Sequence, residues 1–229
     1  MNLWNDVTGL FFPRFCLSCG KKLGAEEWGM CIRCWSRLPF TRLKVSPDNE
    51  MAKCFWGRFP VEQAYALLYY TKGGEVAGLL HDMKYHGARR LCREMGKRMA
   101  EELKTAGFFA SVDYLLPVPL ARARLRERGY NQSELLARGI AEETGIPLMT
   151  DAVTRVRNNA TQTHETAYGR WSNVKGLFVA TPKAGNLCGK HVLLVDDVLT
   201  TGATLVACAD ALSQIEGISF SVVTLAWAR

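Results

Sequence analysis

Short apolar blocks alternate with amphipathic stretches along most of the chain, and this pattern predicts alternating strands and helices. Runs rich in apolar, aromatic or β-branched residues are typical of strands and occur at 64–70, 112–118, 176–180, 191–197 and 220–227. Apolar residues at helical spacing predict helices over 76–83, 92–103 and 203–214, and a further helix begins at Asn131 and ends at Gly145. The strand–helix–strand order from residue 112 predicts an α/β fold, a mainly parallel sheet flanked by helices.

Three stretches depart from this alternation, and the first of them divides the chain into two parts. Residues 1–40 form a small cysteine-bearing module, which leaves 41–229 as the main domain. Within that domain, 41–60 is irregular and rich in turn formers. Residues 155–175 are polar, have almost no apolar periodicity, and are long enough to be a functional loop.

Four of the eight cysteines form two C-x2-C pairs separated by eleven residues, and they are Cys16, Cys19, Cys31 and Cys34. Each pair directs two thiolates at one metal ion, and two pairs complete a tetrahedral set, so we predict a structural Zn²⁺ site. The alternative is a set of free or redox-active thiols, because C-x2-C is also a redox motif. We interpret the other four as small buried hydrophobic residues: Cys54, Cys92, Cys188 and Cys208.

Composition narrows the class of protein further. The 229 residues are 48% hydrophobic and 22% charged, which excludes disordered, collagen-like and coiled-coil chains. Apolar stretches reach about ten residues where a membrane span needs about 20, and the N-terminus has no basic segment of a secretory signal. Together with the paired cysteines, these features predict a cytoplasmic protein without a membrane span.

The strongest chemical motif is the run HVLLVDDVLTTGAT, from His191 to Thr204. A fully apolar strand ends in Asp196 and Asp197, and a loop rich in Thr and Gly then leads into a helix. Consecutive backbone N–H groups at a helix N-terminus, with nearby hydroxyls, favour a phosphate monoester. Two carboxylates beside this cradle suit vicinal hydroxyls or a hard cation, and a ribose 5-phosphate offers the hydroxyls and the phosphate together. The alternative is an ordinary buried strand followed by a helix cap.

This run resembles the motif of type I phosphoribosyltransferases that binds 5-phosphoribosyl pyrophosphate (PRPP). The resemblance implies that Asp196 and Asp197 bind the ribose hydroxyls, directly or through Mg²⁺. It also implies that the 5-phosphate is held by Thr200, Thr201, Gly202, Ala203 and Thr204. The pyrophosphate loop of such enzymes corresponds here to Val118, Pro119, Leu120 and Arg122.

The segment LPVPLARARLRERGYNQ (116–132), the cysteine pairs and the PRPP motif together resemble the ComF/GntX family. Its members join a zinc ribbon to a phosphoribosyltransferase-like domain and are linked to natural transformation and the use of external DNA. Arg128 matches the first position of the family's RGFNQ motif, which implies a catalytic role. Tyr130 replaces the Phe of that motif, so its hydroxyl needs a hydrogen-bond partner.

The polar segment 155–175 is similar to the flexible loop that closes over PRPP in type I enzymes. Arg155, Gln162, Arg170 and Asn173 follow the family's pattern there, and we expect Gln162 and Arg170 to act in catalysis. Closure of such a lid excludes the water that would hydrolyse PRPP. Residues 41–90 correspond to the hood that holds the acceptor in this fold, but no acceptor pocket is recognisable in their sequence.

The chain carries a net charge of +7, and most of the excess lies in two segments. Residues 120–131 contain four arginines against one glutamate, and residues 155–175 contain three arginines and one lysine against one glutamate. Both segments border the predicted PRPP site. Two hypotheses follow: a phosphoribosyltransferase with an unknown acceptor, or a non-enzymatic PRPP sensor that binds single-stranded DNA. Other competence proteins are possible partners under either hypothesis.

Overall fold

The computed structural model describes residues 13–24, 27, 29–85, 87–156 and 176–229. These residues form six strands: β1 (Ala64–Tyr70), β2 (Tyr114–Pro117), β3 (Val153–Arg155), β4 (Phe178–Ala180), β5 (His191–Leu199) and β6 (Ser219–Ala228). They also form seven α-helices: α1 (Ile32–Ser36), α2 (Glu50–Lys53), α3 (Glu75–Tyr85), α4 (Arg89–Lys104), α5 (Arg122–Arg128), α6 (Gln132–Thr144) and α7 (Ala203–Asp210). A 3₁₀ helix covers Pro182–Leu187.

Four strands form the main sheet in the order β1–β6–β5–β2, and every neighbouring pair is parallel. Side chains of β5 alternate between two apolar cores: Leu193 and Val195 face one, and Val192 and Leu194 face the other. Helices α3, α4 and α6 pack in the first core and α7 packs in the second. Because both faces are covered, the four residues from Val192 to Val195 form an unbroken apolar run ahead of the two acids. This confirms the predicted α/β class.

Some details differ from the sequence prediction. The strand at 176–180 forms only over Phe178–Ala180 and pairs antiparallel with β3, outside the main sheet. The strand β5 continues two residues beyond Asp197 because Val198 and Leu199 still pair with β6. The helix expected to end at 214 ends at Asp210.

The interpretation of the four single cysteines as buried is wrong for two of them. Cys188 is exposed and Cys54 is half-buried, because Cys188 follows the 3₁₀ helix and Cys54 follows the four-residue helix α2, so neither lies inside a long core element. Cys92 and Cys208 are buried on helices α4 and α7. Among the described residues, no helix is both long and apolar enough to cross a membrane.

Helices α4 and α6 cross at two glycines. A Cβ atom added to Gly96 would lie 2.1 Å from the carbonyl oxygen of Leu136, and one added to Gly139 would lie 2.1 Å from that of Arg93. Both distances are far below van der Waals contact, so the two backbones approach as closely as only glycine permits. This crossing fixes α6, whose first residues reach the sheet edge described below.

The cysteine module packs on helix α4. Cys16 and Cys31 are buried in the same core as α4, and a Cβ atom on Gly29 would lie 3.1 Å from Cβ of Glu94. The guanidinium of Arg98 lies 5.5 Å from the ring centroid of Trp35, within the range of a cation–π contact. The module is therefore attached to the helix layer that also carries α6.

Candidate functional site

Asp196 lies at the carboxyl end of the central strand β5 and is 9% exposed. Its Oδ1 accepts hydrogen bonds from the Ser133 hydroxyl and from the Asp197 backbone N–H, each at 2.9 Å. Burial, and then the charge of Asp197, raise the pKa of the Asp196 carboxyl to about 7. Burial and the neighbouring charge therefore disfavour the carboxylate form of Asp196.

Asp197 is paired with a lysine from a distant part of the chain. Its Oδ2 lies 2.8 Å from Nζ of Lys84, in the last turn of α3, and both side chains are mostly buried. The sequence analysis did not single out Lys84 or Ser133. Ser133 directly follows the RGYNQ motif, which is a signal for its place in the site. Lys84 has no comparable motif, because only the packing of α3 brings it to the acid pair.

The segment predicted to hold the 5-phosphate lies between β5 and α7. Gly202 has φ +77 and is the N-cap of α7, and its carbonyl accepts the Val206 N–H at 3.0 Å. A Cβ atom here would meet Phe55 at 3.3 Å and Arg58 at 3.5 Å. Glycine therefore supplies both the left-handed conformation and the close approach. Thr200, Thr201, Ala203 and Thr204 surround it, as the sequence predicts, at the N-terminus of an eight-residue helix.

The predicted pyrophosphate loop lies beside the acid pair. The Val118 N–H donates to the Val195 carbonyl at 2.9 Å, one residue before Asp196. The Val118 carbonyl accepts from Nδ2 of Asn131, also at 2.9 Å. Pro119 and Leu120 follow, and Arg122 begins α5. The RGYNQ motif thus fastens this loop to the start of α6.

Arg128 lies between the hood helix α3 and helix α6. Its Nη1 donates to Oε1 of Gln132 at 3.2 Å, and its guanidinium lies 5.1 Å from the ring centroid of Tyr85. Two buried donors in this pair, Nε of Arg128 and Nε2 of Gln132, have no hydrogen-bond partner among the described residues. The hydroxyl of Tyr130 donates to the Met83 carbonyl at 2.7 Å, which supplies the partner that the Phe-to-Tyr difference required.

The four arginines of α5 are divided by the helical period. Arg122 and Arg126 lie four residues apart on one face, and Arg124 and Arg128 share the opposite face. The pKa of Arg155 is lowered, first by burial and then by the nearby charge of Arg124 on the second face. The charge of Asp196 acts in the opposite direction. The four arginines therefore form two pairs, and the second pair lies near Arg155 and Gln132.

Arg155 ends β3 and its guanidinium lies 5.5 Å from the ring centroid of Phe178 on β4. This hairpin carries the start of the polar segment to the neighbourhood of Asp196. Gln162, Arg170 and Asn173, the other predicted lid residues, lie outside the described part of the chain.

The four predicted zinc ligands are brought together. The Sγ atoms of Cys16, Cys19, Cys31 and Cys34 all lie within 4.8 Å of one another, and no disulfide joins them. Sγ of Cys19 and Sγ of Cys31 are 3.8 Å apart, which equals the spacing of about 3.8 Å expected for two thiolates on one tetrahedral zinc ion. Burial raises the pKa of the Cys16 thiol, but N–H groups of Cys31, Cys19 and Ser18 outweigh it and bring the pKa to about 7.

Comparison with known proteins assigns the fold to a family. The model of the phosphoribosyl transferase domain matches residues 90–228, which include the acid pair, the cradle and the pyrophosphate loop. Competence protein F of Haemophilus influenzae is 38% identical over 201 residues, covering 85% of this chain and 76% of that protein. The chain belongs to the ComF family.

Other curated relatives of this ComF-family protein carry related names. The DNA utilization protein YhgH of Salmonella typhi is 28% identical over 216 residues, covering 89% of this chain and 92% of that protein. Competence protein ComFC of Bacillus subtilis is 33% identical over 91 residues, covering 40% of this chain and 34% of that protein. The expected combination of a four-cysteine module with a phosphoribosyltransferase domain is confirmed.

Proposed function

We propose that this ComF-family protein binds PRPP with Mg²⁺ and transfers its phosphoribosyl group to an acceptor that remains to be identified. The observation that carries this proposal is the position of the buried acid pair. It lies at the carboxyl edge of the parallel sheet, between the loop 118–122 and the cradle 200–204. In open α/β sheets this edge is where ligands bind.

In this proposal, different groups of residues bind different parts of the PRPP molecule. Asp196 and Asp197 would accept hydrogen bonds from the two ribose hydroxyls, and the cradle would donate to the 5-phosphate. The loop that begins at Val118 would donate to the pyrophosphate. Carboxylate and pyrophosphate oxygens are suitable Mg²⁺ ligands, so Mg²⁺ held by Asp197 and pyrophosphate would neutralise charge on the leaving group.

In the proposed reaction, the bond from ribose C1 to pyrophosphate breaks and the acceptor's lone pair forms the new bond to C1. This chemistry needs stabilisation of separating charge more than a nucleophilic side chain. Arg128 would stabilise the departing pyrophosphate, because a guanidinium group matches phosphate oxygens. Arg122, on the other face of α5, stays a predicted residue of the pyrophosphate loop. Gln162 and Arg170 stay predicted catalytic residues of a lid that excludes water.

Calorimetry tests the ligand assignment. Titration with PRPP and Mg²⁺ should give saturable binding that is lost in the double variant Asp196→Asn/Asp197→Asn, which preserves side-chain shape and removes charge. A wild-type protein that binds no PRPP would refute the proposal. Pyrophosphate release on addition of candidate acceptors then separates a transferase from a protein that only senses PRPP.

We further propose that the cysteine module holds a structural Zn²⁺ ion and that the protein serves competence or the use of external DNA. The sulfur spacing supports zinc, and the four thiolates would complete its coordination, so the ion would stabilise the fold rather than carry chemistry. The biological role rests on what the relatives' names say of those proteins. It predicts a loss of transformation, or of growth on DNA, when the gene is deleted.

A second candidate function, binding of single-stranded DNA, is favoured by the exposed face of α5. Arg122 and Arg126 are exposed, lie on the same side of the helix, and are opposite the second pair of arginines. A mobility-shift titration with single-stranded DNA tests it. Binding should weaken with salt and fall in Arg122→Ala/Arg126→Ala. An unchanged shift in this variant would exclude the α5 face as the DNA surface.

A further inference from the structure

The segment after helix α2 lies against the phosphate cradle, although its sequence indicated only an irregular connection. Nη1 of Arg58 donates to the carbonyl oxygen of Thr201 at 2.7 Å. The same nitrogen lies 3.5 Å from the position a Cβ atom would take on Gly202. A cation that is 143 positions away in the chain therefore contacts the loop at its tightest point.

This position is fixed by packing on both sides of Arg58. Phe55 is fully buried, and its ring centroid lies 5.2 Å from that of Phe59, which in turn lies 6.0 Å from that of Phe220 on β6. Both pairs have edge-to-face geometry, which is favourable for aromatic rings. The backbone that carries Arg58 is thus anchored to the main sheet by the residues three before it and one after it.

The start of the segment is also anchored. The Asn49 side chain accepts the Ala52 N–H and caps α2, while its Nδ2 donates to the Ala64 carbonyl at 2.8 Å. Ala64 is the first residue of β1, an edge strand of the main sheet. Residues 49–59 therefore form a platform with fixed attachments at both ends, and Arg58 projects from it to the cradle.

We propose that Arg58 is a binding residue for the 5-phosphate, and that it makes the cradle selective for 5-phosphorylated pentoses; this rests on the proposed PRPP function. The cradle itself offers N–H and hydroxyl donors, which are neutral. A phosphate monoester carries between one and two negative charges near neutral pH. The guanidinium supplies a full positive charge together with several donors on one rigid plane.

The contact with Thr201 strengthens this assignment. The hydrogen bond to the Thr201 carbonyl holds the plane of the guanidinium beside the loop. Little side-chain freedom then remains to be lost when phosphate binds, which favours affinity. The hood region would thereby recognise the phosphorylated sugar as well as the acceptor expected there.

Calorimetry with three probes tests the proposal: ribose 5-phosphate, PRPP with Mg²⁺, and pyrophosphate with Mg²⁺. In Arg58→Gln, the loss of one charge-assisted contact should lower the affinity for ribose 5-phosphate and for PRPP about tenfold. Pyrophosphate, which lacks the 5-phosphate, should bind as in the wild type. Arg58→Lys keeps the charge but loses the planar, forked set of donors. Its affinity for ribose 5-phosphate and PRPP should therefore lie between those of the wild type and Arg58→Gln.

Lys53→Gln is the matched control. Lys53 lies on α2 of the same platform, and its Nζ is 5.8 Å from the Trp56 ring centroid rather than at the cradle. We expect this variant to bind all three probes as the wild type does. An equal loss in Lys53→Gln and Arg58→Gln would overturn the proposal, because it would indicate a general effect of net charge.

The remaining outcomes separate this proposal from the function on which it rests. If the wild type binds PRPP and Arg58→Gln binds ribose 5-phosphate unchanged, Arg58 has no phosphate role although the PRPP site stands. If Arg58→Gln loses pyrophosphate binding as well, the residue supports the loops' structure and the proposal is refuted. If the wild type binds neither PRPP nor ribose 5-phosphate, the proposed function itself fails.

Discussion

The cysteine cluster and the acid pair each bring groups of one kind together, but the partners of those groups come from different places. At the cluster, four sulfurs from one short segment converge within 4.8 Å of one another. At the acid pair, two adjacent carboxylates receive Ser133 from α6 and Lys84 from α3. The cluster is suited to hold a metal ion, whereas the acid pair is stabilised by groups that the protein itself supplies.

This difference agrees with the two proposed roles, a zinc site that maintains structure and a site that binds and releases PRPP. Four thiolates held close together repel one another unless a cation joins them, so a structural ion becomes part of the fold. The acid pair instead lies on a strand that is buried on both faces, so we expect its fold to persist without the proposed ligand. Perturbing each region should therefore have different consequences.

Metal removal should have the largest effect and should be confined to the cysteine module. Structural zinc sites contribute about 10 kcal/mol or more of apparent binding energy. We expect one zinc per chain by elemental analysis. We also expect chelation to increase hydrogen exchange over 13–38 while β5 stays protected. Zinc-free protein with unchanged exchange in the module would contradict this separation.

Substitution at the glycine crossing should destabilise the layer that joins the two regions. The Gly96→Ala methyl would overlap the Leu136 carbonyl, so we expect the free energy of unfolding to fall by about 3 kcal/mol. Gly78→Ala is the matched control. Gly78 is exposed within α3 with no atom near its Cβ position, and we expect a gain of about 0.5–1 kcal/mol. Denaturant unfolding measures both, and a loss at Gly78 would show that helix propensity does not explain the contrast.

Asp196→Asn should stabilise the fold at high pH while removing PRPP binding. The folded-state pKa of about 7 lies above the ordinary value of 3.8, so ionising Asp196 disfavours the native state as the pH rises through this interval. Asparagine keeps an oxygen acceptor and carries no charge. We expect a gain on the order of 2 kcal/mol at pH 8 and almost none at pH 4. Denaturant unfolding across this range would contradict the expectation if the gain did not depend on pH.

Lys84→Met should have the smallest effect on stability. The Lys84–Asp197 pair is mostly buried, but both side chains keep contact with solvent, so its loss should cost only about 1 kcal/mol, and the cost should disappear in an Asp197→Asn background. The control is Arg37→Met, which breaks the exposed pair with Glu75 and should change stability by less than about 0.5 kcal/mol. A double-mutant cycle measures the coupling, and a zero coupling energy would mean that Lys84 does not stabilise Asp197.

The sequence was most informative where one continuous segment determines both structure and chemistry. The β5 strand, Asp196, Asp197 and Gly202 belong to one run of fourteen residues, and the structure keeps their predicted arrangement. The cysteine pairs were equally readable, because ligand spacing is local. The β3–β4 pairing was not, because strands of three residues carry too few positions to show a period.

The residues that were missed come from other elements. Lys84, Ser133 and Arg58 reach the site through the packing of α3, α6 and the platform 49–59. No spacing within the chain encodes such proximity. Arg58 lies in the stretch that looked least ordered, and the aromatic contacts that fix it involve Phe220 near the other end of the chain.

The glycine crossing also limits how far helices α4 and α6 can move relative to each other. Where Gly96 meets Gly139 there is no side-chain layer that could be compressed or rearranged, so the gap between the two helices has essentially one value. Helix α4 bears the cysteine module and helix α6 presents Ser133 to Asp196. The fixed spacing of these two helices therefore couples the position of the cysteine module to the position of Ser133 beside Asp196.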